Sequence, residues 1–349
     1  MKKKIKIAII VTLCLVFIGF IGCTIIALKV YSQSFGRVEE LSRKYEFSTY
    51  FFWKEIEQNK YSREEVSFNS EGNMLQGFIY GKANNNGLVI ISQGLGGTAD
   101  CYFPMIMYFV DKGWRVFAFN NTGVSGSEGK STRGLTQSVI DLDAALNYIK
   151  KSSALNNLPV MLVGHSWGGY AVCSVLNYDH NVKAVVSFAG YNNGSELFKE
   201  LAVLEVGGIY YILSPQIWAI EKQLFGAKVK LTAVEGINKA GIPVMIVHSS
   251  DDDVISPKTT SIYANRNKIS NSHIEIVFLD NEDSAGHEFV FCSKRQREYM
   301  NWADASWKES KNNVSKSKWA EEINFDKALA NELNMDLMDR INTLFYNAK

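Results

Sequence analysis

Short apolar segments alternate with helix-like segments from residue 64 onward, and this alternation constrains the fold more than any other feature of the sequence. Eight segments are rich in Val, Ile and Phe and are bounded by Gly, Asn or Ser, as β-strands are. Strands alternating with helices predict an α/β protein with a mostly parallel, eight-stranded sheet covered by helices on both faces. The predicted strands are Glu65–Phe68, Leu75–Tyr80, Leu88–Ser92, Arg115–Phe119, Val160–Val163, Lys183–Phe188, Val244–His248 and Ile274–Leu279.

Helical spacing of apolar residues occurs between the later strands. Val139, Leu142, Leu146 and Ile149, for example, recur at intervals of about one helical turn. The first two strands have no helix-like sequence between them, so we expect them to form an antiparallel hairpin at the sheet edge. Helices are predicted over Tyr102–Lys112, Thr136–Lys151, Trp167–Tyr178 and Thr259–Lys268.

One long interval between strands, from Gly190 to Gly241, contains only helix-like sequence. About fifty residues are too many for a plain connection between two strands. We therefore predict a helical cap inserted at about 190–241, above the C-terminal edge of the sheet. The main domain then covers residues 64–310, and a C-terminal helical tail follows over 311–349.

The first thirty residues differ from the rest of the chain. A lysine cluster precedes an apolar run of about 22 residues, Ile7 to Leu28, which is long enough to span a bilayer. This run predicts an N-terminal transmembrane helix that anchors the protein over residues 1–30. Lysines are more numerous before the run than after it, which places the following domain on the extracytoplasmic side. Residues 31–63 are predicted to form a helical stalk.

Two alternatives to an uncleaved anchor remain at this point. The sequence "FIGC", which ends at Cys23, partly resembles a bacterial lipoprotein cleavage site, so the protein could instead be held by a lipidated cysteine. A cleaved signal and a secreted protein are the other alternative. The apolar run continues past Cys23 to Leu28, which a lipoprotein does not need, and this favours the anchor.

Composition argues against several kinds of partner. The net charge of the 349 residues is only +1, which gives no support for nucleic-acid binding. The five cysteines are scattered, with no C-x-x-C pattern or Cys/His cluster, so we expect no structural zinc and no other metal. The expected partners are a small-molecule substrate and the membrane.

The stretch "VGHSWGGYA" contains the candidate nucleophile, Ser166. It lies between a predicted strand and a predicted helix, where a G-x-S-x-G sequence forms a sharp turn that exposes the serine. Gly164 and Gly168 are then required because the turn is too tight for side chains at these positions.

A serine hydroxyl needs a base, and the base needs an acid to orient it. Among the five histidines, His287 is the candidate base, since it follows the last strand at the C-terminal edge of the sheet, where reacting groups gather. Asp251, Asp252 and Asp253 follow another strand, and we expect one of them to face the histidine. A calcium loop is less favoured, because it requires acids at alternate positions together with a glycine.

The loop "QGLGG" after the strand Leu88–Ser92 is the candidate oxyanion loop. Backbone N–H groups stabilise an oxyanion, and we expect the donors to be Leu95 and Trp167, the residue after the nucleophile. The loop lacks the pattern of a phosphate-binding loop. A second Gly-rich stretch, "NNTGVSGSEG", is interpreted as a structural loop.

These features resemble the α/β-hydrolase superfamily, and within it the monoglyceride-lipase and serine-aminopeptidase-like hydrolases. The family patterns H-G-x-G-G, G-H-S-x-G-G, G-x-x-D-x-x-V and G-H correspond here to "QGLGG", "GHSWGG", "SSDDDVI" and "GH". Matching the acid pattern assigns the acid to Asp252. The chain departs from the family at Gln93, Ser249 and Ile255. The resemblance covers residues 64–310 and implies hydrolysis through an acyl-enzyme with no cofactor.

The sequence thus predicts a serine hydrolase that cleaves carboxylic esters, with lipid-like or acyl substrates favoured by the aromatic cap. A peptidase or amidase, or an acyltransferase, would use the same three groups. A membrane-tethered binding module on a hydrolase scaffold is the non-enzymatic alternative, and such proteins usually lose one of the three. The predicted triad is Ser166, Asp252 and His287, with Leu95 and Trp167 as oxyanion donors.

Overall fold

A computed structural model describes residues 2–39, 47–51, 53–310 and 314–349. Its centre is one eight-stranded sheet in the order β1-β2-β4-β3-β5-β6-β7-β8. β1 pairs antiparallel with β2, and β2 antiparallel with β4, whereas all the other pairs are parallel. The strands are β1 Arg63–Ser70, β2 Asn73–Tyr80, β3 Leu88–Ser92, β4 Arg115–Phe119, β5 Val160–His165, β6 Val182–Phe188, β7 Val244–Ser249 and β8 Ile274–Leu279.

The predicted fold class is confirmed, including the antiparallel hairpin at the sheet edge. Strand residues alternate between two apolar layers. In β5, for example, Met161 and Val163 pack into one layer and Leu162 into the other. A strand that is buried on both faces needs an apolar residue at nearly every position, which is why inner strands such as β3 and β4 read as continuous apolar segments.

Helices cover both faces of the sheet. α3, α4 and α7 pack on one face, and α2 and α10 pack on the other. The described helices are α1 Lys2–Ser34, α2 Phe103–Asp111, α3 Gln137–Lys151, α4 Trp167–Ser174, α5 Gly194–Val206, α6 Ile209–Phe225, α7 Ala233–Ala240, α8 Lys294–Ser310, α9 Lys316–Glu322 and α10 Met335–Ala348.

One predicted helix does not form. Thr259–Lys268 is a series of turns that ends in a short 3-10 helix, Arg266–Lys268. Polar side chains bind the backbone here in place of a helical ladder. The Ser261 hydroxyl accepts from the Ala264 N–H, and the Asn265 amide donates to the Thr259 and Ser261 carbonyls. Such local bonds compete with helix formation.

The interval between β6 and β7 is helical, as predicted. α5 and α6 form a helical hairpin across two glycines, Gly207 and Gly208. α7 follows them and packs against α4, so it belongs to the layer beside the sheet. The cap therefore consists chiefly of α5 and α6, and the inner side of α5 faces the C-terminal edge of the sheet.

The N-terminal helix agrees with the predicted membrane-spanning helix, whereas the predicted stalk is not helical throughout. α1 continues to Ser34, and its segment Lys4–Ser34 is long and apolar enough to cross a membrane. It packs against α6 through a stripe that includes Cys23, Ala27 and Tyr31. The predicted stalk is not one helix, because the chain leaves helical structure after Ser34. Residues 40–46 and 52 of that prediction lie outside the described residues.

The segment after α1 is fixed to the main domain. Val38 forms a parallel bridge with Val124, and the Arg37 guanidinium donates to the Ser125, Ser127 and Gly129 carbonyls. These acceptors belong to the second Gly-rich loop. The second Gly-rich loop therefore holds the segment that follows α1. This agrees with the interpretation of that loop as structural.

The C-terminal helix is part of the core. Leu337, Met338, Ile341 and Phe345 of α10 are buried in the layer formed with α2. Their spacing is that of one helix face. The last part of the predicted tail thus closes one face of the sheet.

Phe345→Ala tests this role of α10. The Phe345 side chain is fully buried, with its ring centroid 5.8 Å from that of Phe109 and 5.9 Å from that of Trp114. Removing a buried phenylalanine costs about 3–5 kcal/mol. We expect a clear drop in the thermal unfolding midpoint of the detergent-solubilised protein. The exposed Asn347→Ala should change it little, and equal midpoints for the two variants would show that α10 is dispensable.

Candidate active site

Ser166 occupies a sharp turn between β5 and α4. Its backbone has φ +55° and ψ −111°, a conformation that L-residues rarely adopt. The Ser166 N–H donates to the Phe188 carbonyl at 2.8 Å, which fixes the turn against β6. The turn directs the hydroxyl into a cavity above the C-terminal edge of the sheet.

The two glycines that flank Ser166 leave no room for a side chain. A Cβ at Gly164 would lie 2.1 Å from the Gly168 carbonyl oxygen. A Cβ at Gly168 would lie 2.0 Å from the carbonyl oxygen of Ser92, at the end of β3. Both contacts are with backbone, which cannot move aside as a flexible side chain can. The structure therefore gives the physical reason for the G-x-S-x-G spacing.

The structure brings Ser166, His287 and Asp252 into one hydrogen-bonded chain. His287 Nε2 lies 2.9 Å from Ser166 Oγ, and His287 Nδ1 lies 2.9 Å from Asp252 Oδ2. Since a carboxylate only accepts, Nδ1 carries the proton and donates it to Asp252. Nε2 is then free to accept from the serine hydroxyl. The fold thus brings together the three side chains that the sequence named as candidates.

Asp252 is distinguished from its two neighbours by its surroundings. Its side chain is fully buried, and Oδ1 accepts from the N–H groups of Val254 and Ile255 at 3.0 and 2.8 Å. Burial by itself would raise the pKa of Asp252. The hydrogen bond and charge of His287, with the Ile255 N–H, outweigh burial and hold this pKa below its usual value. Asp253 is exposed.

Asp251 has a different role that the sequence did not reveal. Its carboxylate accepts from the Ser249 hydroxyl and from the Gly286 N–H, while the Ser249 hydroxyl accepts from the Ala285 N–H at 2.8 Å. The acid loop is thereby bonded to the residues directly before His287. Ser249 replaces the glycine of the family pattern, and its hydroxyl gives this position a bonding role.

The candidate oxyanion loop borders the same cavity. Leu95, Trp167, Ser166 and His287 all line it. Gly96 has φ +86°, and the Gly97 N–H donates to the Gly94 carbonyl, which closes a tight turn around Leu95. Within the described chain neither the Leu95 nor the Trp167 N–H donates to a protein acceptor, so both are available to a bound group.

Gln93 replaces the usual histidine of the oxyanion loop. Its side chain is buried, and the amide Nε2 donates to the Gly97 carbonyl at 3.0 Å. This bond closes the loop from inside. Gln93, which departs from the family pattern, therefore still helps to shape this loop.

A second hydrogen-bonded chain joins this loop to His287 through the histidine beside the nucleophile. The Gly94 N–H donates to the Tyr102 hydroxyl at 2.8 Å, and this hydroxyl lies 3.0 Å from His165 Nδ1. His165 Nε2 lies 3.0 Å from the His287 carbonyl oxygen and must donate to it. Neutral His165 therefore accepts from Tyr102. The sequence pattern had singled out only His287 among the five histidines, and it gave no sign of Tyr102.

The remaining three histidines lie elsewhere. His248 is buried behind the acid loop, where Nε2 donates to the Ile255 carbonyl at 3.0 Å. His180 bonds with Asp143, and His273 lies at an exposed position. None of these three contacts Ser166.

The cavity above Ser166 has a volume of about 440 Å³ and a mostly apolar lining. Leu197 and Leu201 of α5 form its cap side, and Tyr191 and Leu135 also line it. Tyr50 also lines it, although this residue falls in the segment predicted to be a stalk. The chain before β1 thus contributes to the cavity.

His165→Gln should change the pH dependence of stability. Burial, followed by the nearby His287, lowers the pKa of His165 to about 3, whereas an unfolded histidine titrates near its ordinary value. Between these two pH values the unfolded chain binds a proton that the folded chain does not. Wild type should lose up to about 1.4 kcal/mol per pH unit from this residue as the pH falls below about 6.5.

Glutamine can make both hydrogen bonds of His165 without titrating. Thermal unfolding measured from pH 7 to pH 5 should therefore decline less steeply in His165→Gln than in wild type. His273→Gln, at an exposed position, should keep the wild-type slope. Identical slopes for all three proteins would contradict a neutral, buried His165.

Comparison with known proteins agrees with this fold. Residues 83–219 match the family model described as serine aminopeptidase, S33. The uncharacterized protein YfhR of Escherichia coli (strain K12) is 25% identical over 207 residues, which are 56% of this chain and 65% of YfhR. The match thus spans less than two thirds of the length of YfhR.

Solved structures share the architecture at low sequence identity. An esterase of Pyrococcus furiosus superposes with a TM-score of 0.53 and 14% identity, over 82% of this chain and 98% of that one. Acetyl xylan esterase 1 of Thermoanaerobacterium sp. JW/SL YS485 gives a TM-score of 0.52 and 16% identity, over 67% of this chain and 81% of that one. Together with the sheet order, these two structures show that the chain has the α/β-hydrolase fold.

Proposed function

We propose that this protein is a serine hydrolase that cleaves carboxylic esters through an acyl-enzyme on Ser166. The observation that carries the proposal is the 2.9 Å contact between Ser166 Oγ and His287 Nε2, with Asp252 on the opposite nitrogen of the ring. A hydroxyl is a weak nucleophile until a base removes its proton, and this geometry supplies that base.

Each group has one role in the reaction. Ser166 Oγ attacks the ester carbonyl carbon while His287 Nε2 takes its proton, and the carbonyl electrons move onto the oxygen. When this intermediate collapses, the ester C–O bond breaks and the leaving alkoxide takes the proton from Nε2. Water then attacks the acyl-serine with His287 again as base, which releases the carboxylic acid and restores Ser166. Asp252 keeps Nε2 of His287 facing the serine and stabilises the imidazolium.

The oxyanion forms between the two free backbone donors. The N–H groups of Leu95 and Trp167 are fixed by the turn at Gly96 and by the start of α4, so they need no rearrangement as charge develops. The cavity is expected to hold the acyl part of the substrate, because Leu135, Leu197 and Leu201 line it.

Esters are favoured over the alternatives by the same cavity. The two structural relatives described above are named esterases, while the matching family model is named for serine aminopeptidases. Amide cleavage and acyl transfer would use the same groups, but an apolar cavity offers little to a peptide backbone. A binding module without activity would have no need for three aligned catalytic groups.

We further propose that α1 anchors the enzyme in a membrane. Its lysine cluster precedes the apolar run, an arrangement that leaves the hydrolase domain on the extracytoplasmic side. Detection of a mature N-terminus at Cys23 by mass spectrometry would instead establish a lipoprotein.

Labelling with a fluorophosphonate probe tests the nucleophile. The full chain in detergent should react covalently, and Ser166→Ala and His287→Ala should not, because the first lacks the attacking oxygen and the second lacks its base. Turnover of a short soluble ester should fall on the order of 10⁴-fold in Ser166→Ala. Wild-type turnover in that variant would exclude this mechanism.

The choice among the three adjacent acids can be tested with a matched pair. Asp252→Asn should lower kcat by about 10³- to 10⁴-fold, since an amide cannot stabilise the imidazolium. Asp253→Asn removes the same charge at an exposed position and should keep wild-type kcat. A large loss in the second variant and none in the first would assign the acid differently.

Leu201→Trp tests the assignment of the acyl site. The larger side chain should fill part of the cavity and lower kcat/KM about tenfold for an octanoyl ester, with little change for an acetyl ester. Leu204→Trp, on the exposed side of the same helix, should leave the ratio of kcat/KM for the octanoyl ester to that for the acetyl ester unchanged. If the octanoyl-to-acetyl ratio of kcat/KM were the same in both variants, the acyl chain would have to bind elsewhere.

A further inference from the structure

The outer face of α6 is apolar and exposed. Ile209, Tyr211, Ile212 and Trp218 are each more than half exposed, and Leu204 on α5 is 76% exposed. The sequence from Ile209 to Trp218 contains no charged residue. A helix on a protein surface normally presents polar residues to water, so a face of this kind indicates a docking surface.

This apolar face is continuous with the candidate membrane span. α1 packs along α6, and Ala27 of α1 is fully buried in the contact. On the same turns of α1, Ile25, Ile26 and Leu28 are at least half exposed. The apolar surface of α1 therefore lies beside that of α6.

The length of α1 sets the height at which α6 meets the bilayer. The run from Ile7 to Leu28 rises about 33 Å at 1.5 Å per residue, close to the roughly 30 Å of a hydrocarbon core. An α1 that spans the membrane therefore uses the whole run, including the turns around Ala27 that contact α6. The cap helix is then held at the surface of the bilayer, within reach of its acyl chains.

The residue types on this face suit that position. Tryptophan and tyrosine concentrate at the boundary between acyl chains and headgroups, while isoleucine and leucine enter the apolar layer. The first charged residue after the apolar run of α1 is Lys29, and the first charge on α6 that is not buried is the half-buried Lys222, beyond Trp218. Both charges can remain outside the hydrocarbon.

We propose that the outer face of the α5–α6 cap docks into the lipid bilayer beside α1, and that the substrate is an acyl ester resident in that bilayer. The docking follows from the exposed face and its continuity with α1. The substrate class rests on the proposed function, and it follows because α5 also forms the cap side of the cavity through Leu197 and Leu201. A lipid ester can then reach Ser166 along the cap without crossing bulk water.

Quenching of Trp218 by brominated phosphatidylcholine tests the docking. The full chain is reconstituted in vesicles of this lipid and of its unbrominated form. α1 contains no tryptophan, so insertion of α1 alone produces no direct quenching. We expect the tryptophan emission of wild type to be lower in the brominated vesicles than in the unbrominated ones, and this difference should be smaller in Trp218→Phe. Trp302→Phe is the matched control, since Trp302 is similarly exposed on α8, and it should retain the wild-type loss.

Equal quenching of wild type and Trp218→Phe would overturn the docking. The same result is expected if a second copy of the chain or another protein covers this face. Bromine close to the headgroups should quench more strongly than bromine deep in the acyl chains, because Trp218 belongs to the interface. The experiment requires no enzymatic activity, so it decides the docking independently of the proposed function.

Hydrolysis of two esters tests the substrate class. Ile209→Asn combined with Ile212→Asn should reduce cleavage of a long-chain ester in vesicles about tenfold, and leave cleavage of a soluble acetyl ester unchanged. Met335→Asn, at an exposed apolar position on α10, should change neither rate. Equal loss on both esters would overturn the bilayer route. Cleavage of neither ester by wild type would refute the proposed function, with the quenching result still valid.

Discussion

Close contact between backbones below Ser166 determines the geometry of the site. The turn after β5 passes so near the Ser92 and Gly168 carbonyls that only glycine fits at Gly164 and Gly168. Ser166 is held in a rarely populated conformation there, which costs on the order of 1–3 kcal/mol that the surrounding sheet must offset. In return, the hydroxyl and the Trp167 N–H have fixed directions, and the other groups are arranged around them.

The loops that carry the remaining groups are bonded to one another as well as to the sheet. Asp251 and Ser249 tie the acid loop to the segment before His287. His165 and Tyr102 connect the His287 carbonyl to the candidate oxyanion loop. Since His165 stays neutral at ordinary pH, this connection adds no charge that would compete with Asp252 for His287. Preorganisation of this kind lowers the reorganisation needed during reaction.

Local patterns predicted part of this arrangement, and long-range contacts decided the rest. The strands and the turn at Ser166 follow from apolar runs and glycine spacing, which act within a few residues. Three adjacent carboxylates have the same local signals, so only the family resemblance selected Asp252, which the fold places beside His287. Tyr50 and Tyr102 reach the site across the fold, and no sequence pattern marks them. The helix predicted over Thr259–Lys268 was wrong, because hydrogen bonds from polar side chains replace the backbone hydrogen bonds of a helix there.

Under the proposed insertion of α1 in a membrane, the way α1 is attached determines which lipid substrates the site can encounter. Packing along α6 and the bonds of Arg37 and Val38 hold α1 to the domain at two places, so the connection is not a flexible linker. With α1 inserted, the cavity stays at one height and one angle above its own membrane. Under this proposal, the search for a lipid substrate becomes two-dimensional diffusion within that leaflet, and a lipid held in an opposing membrane lies out of reach.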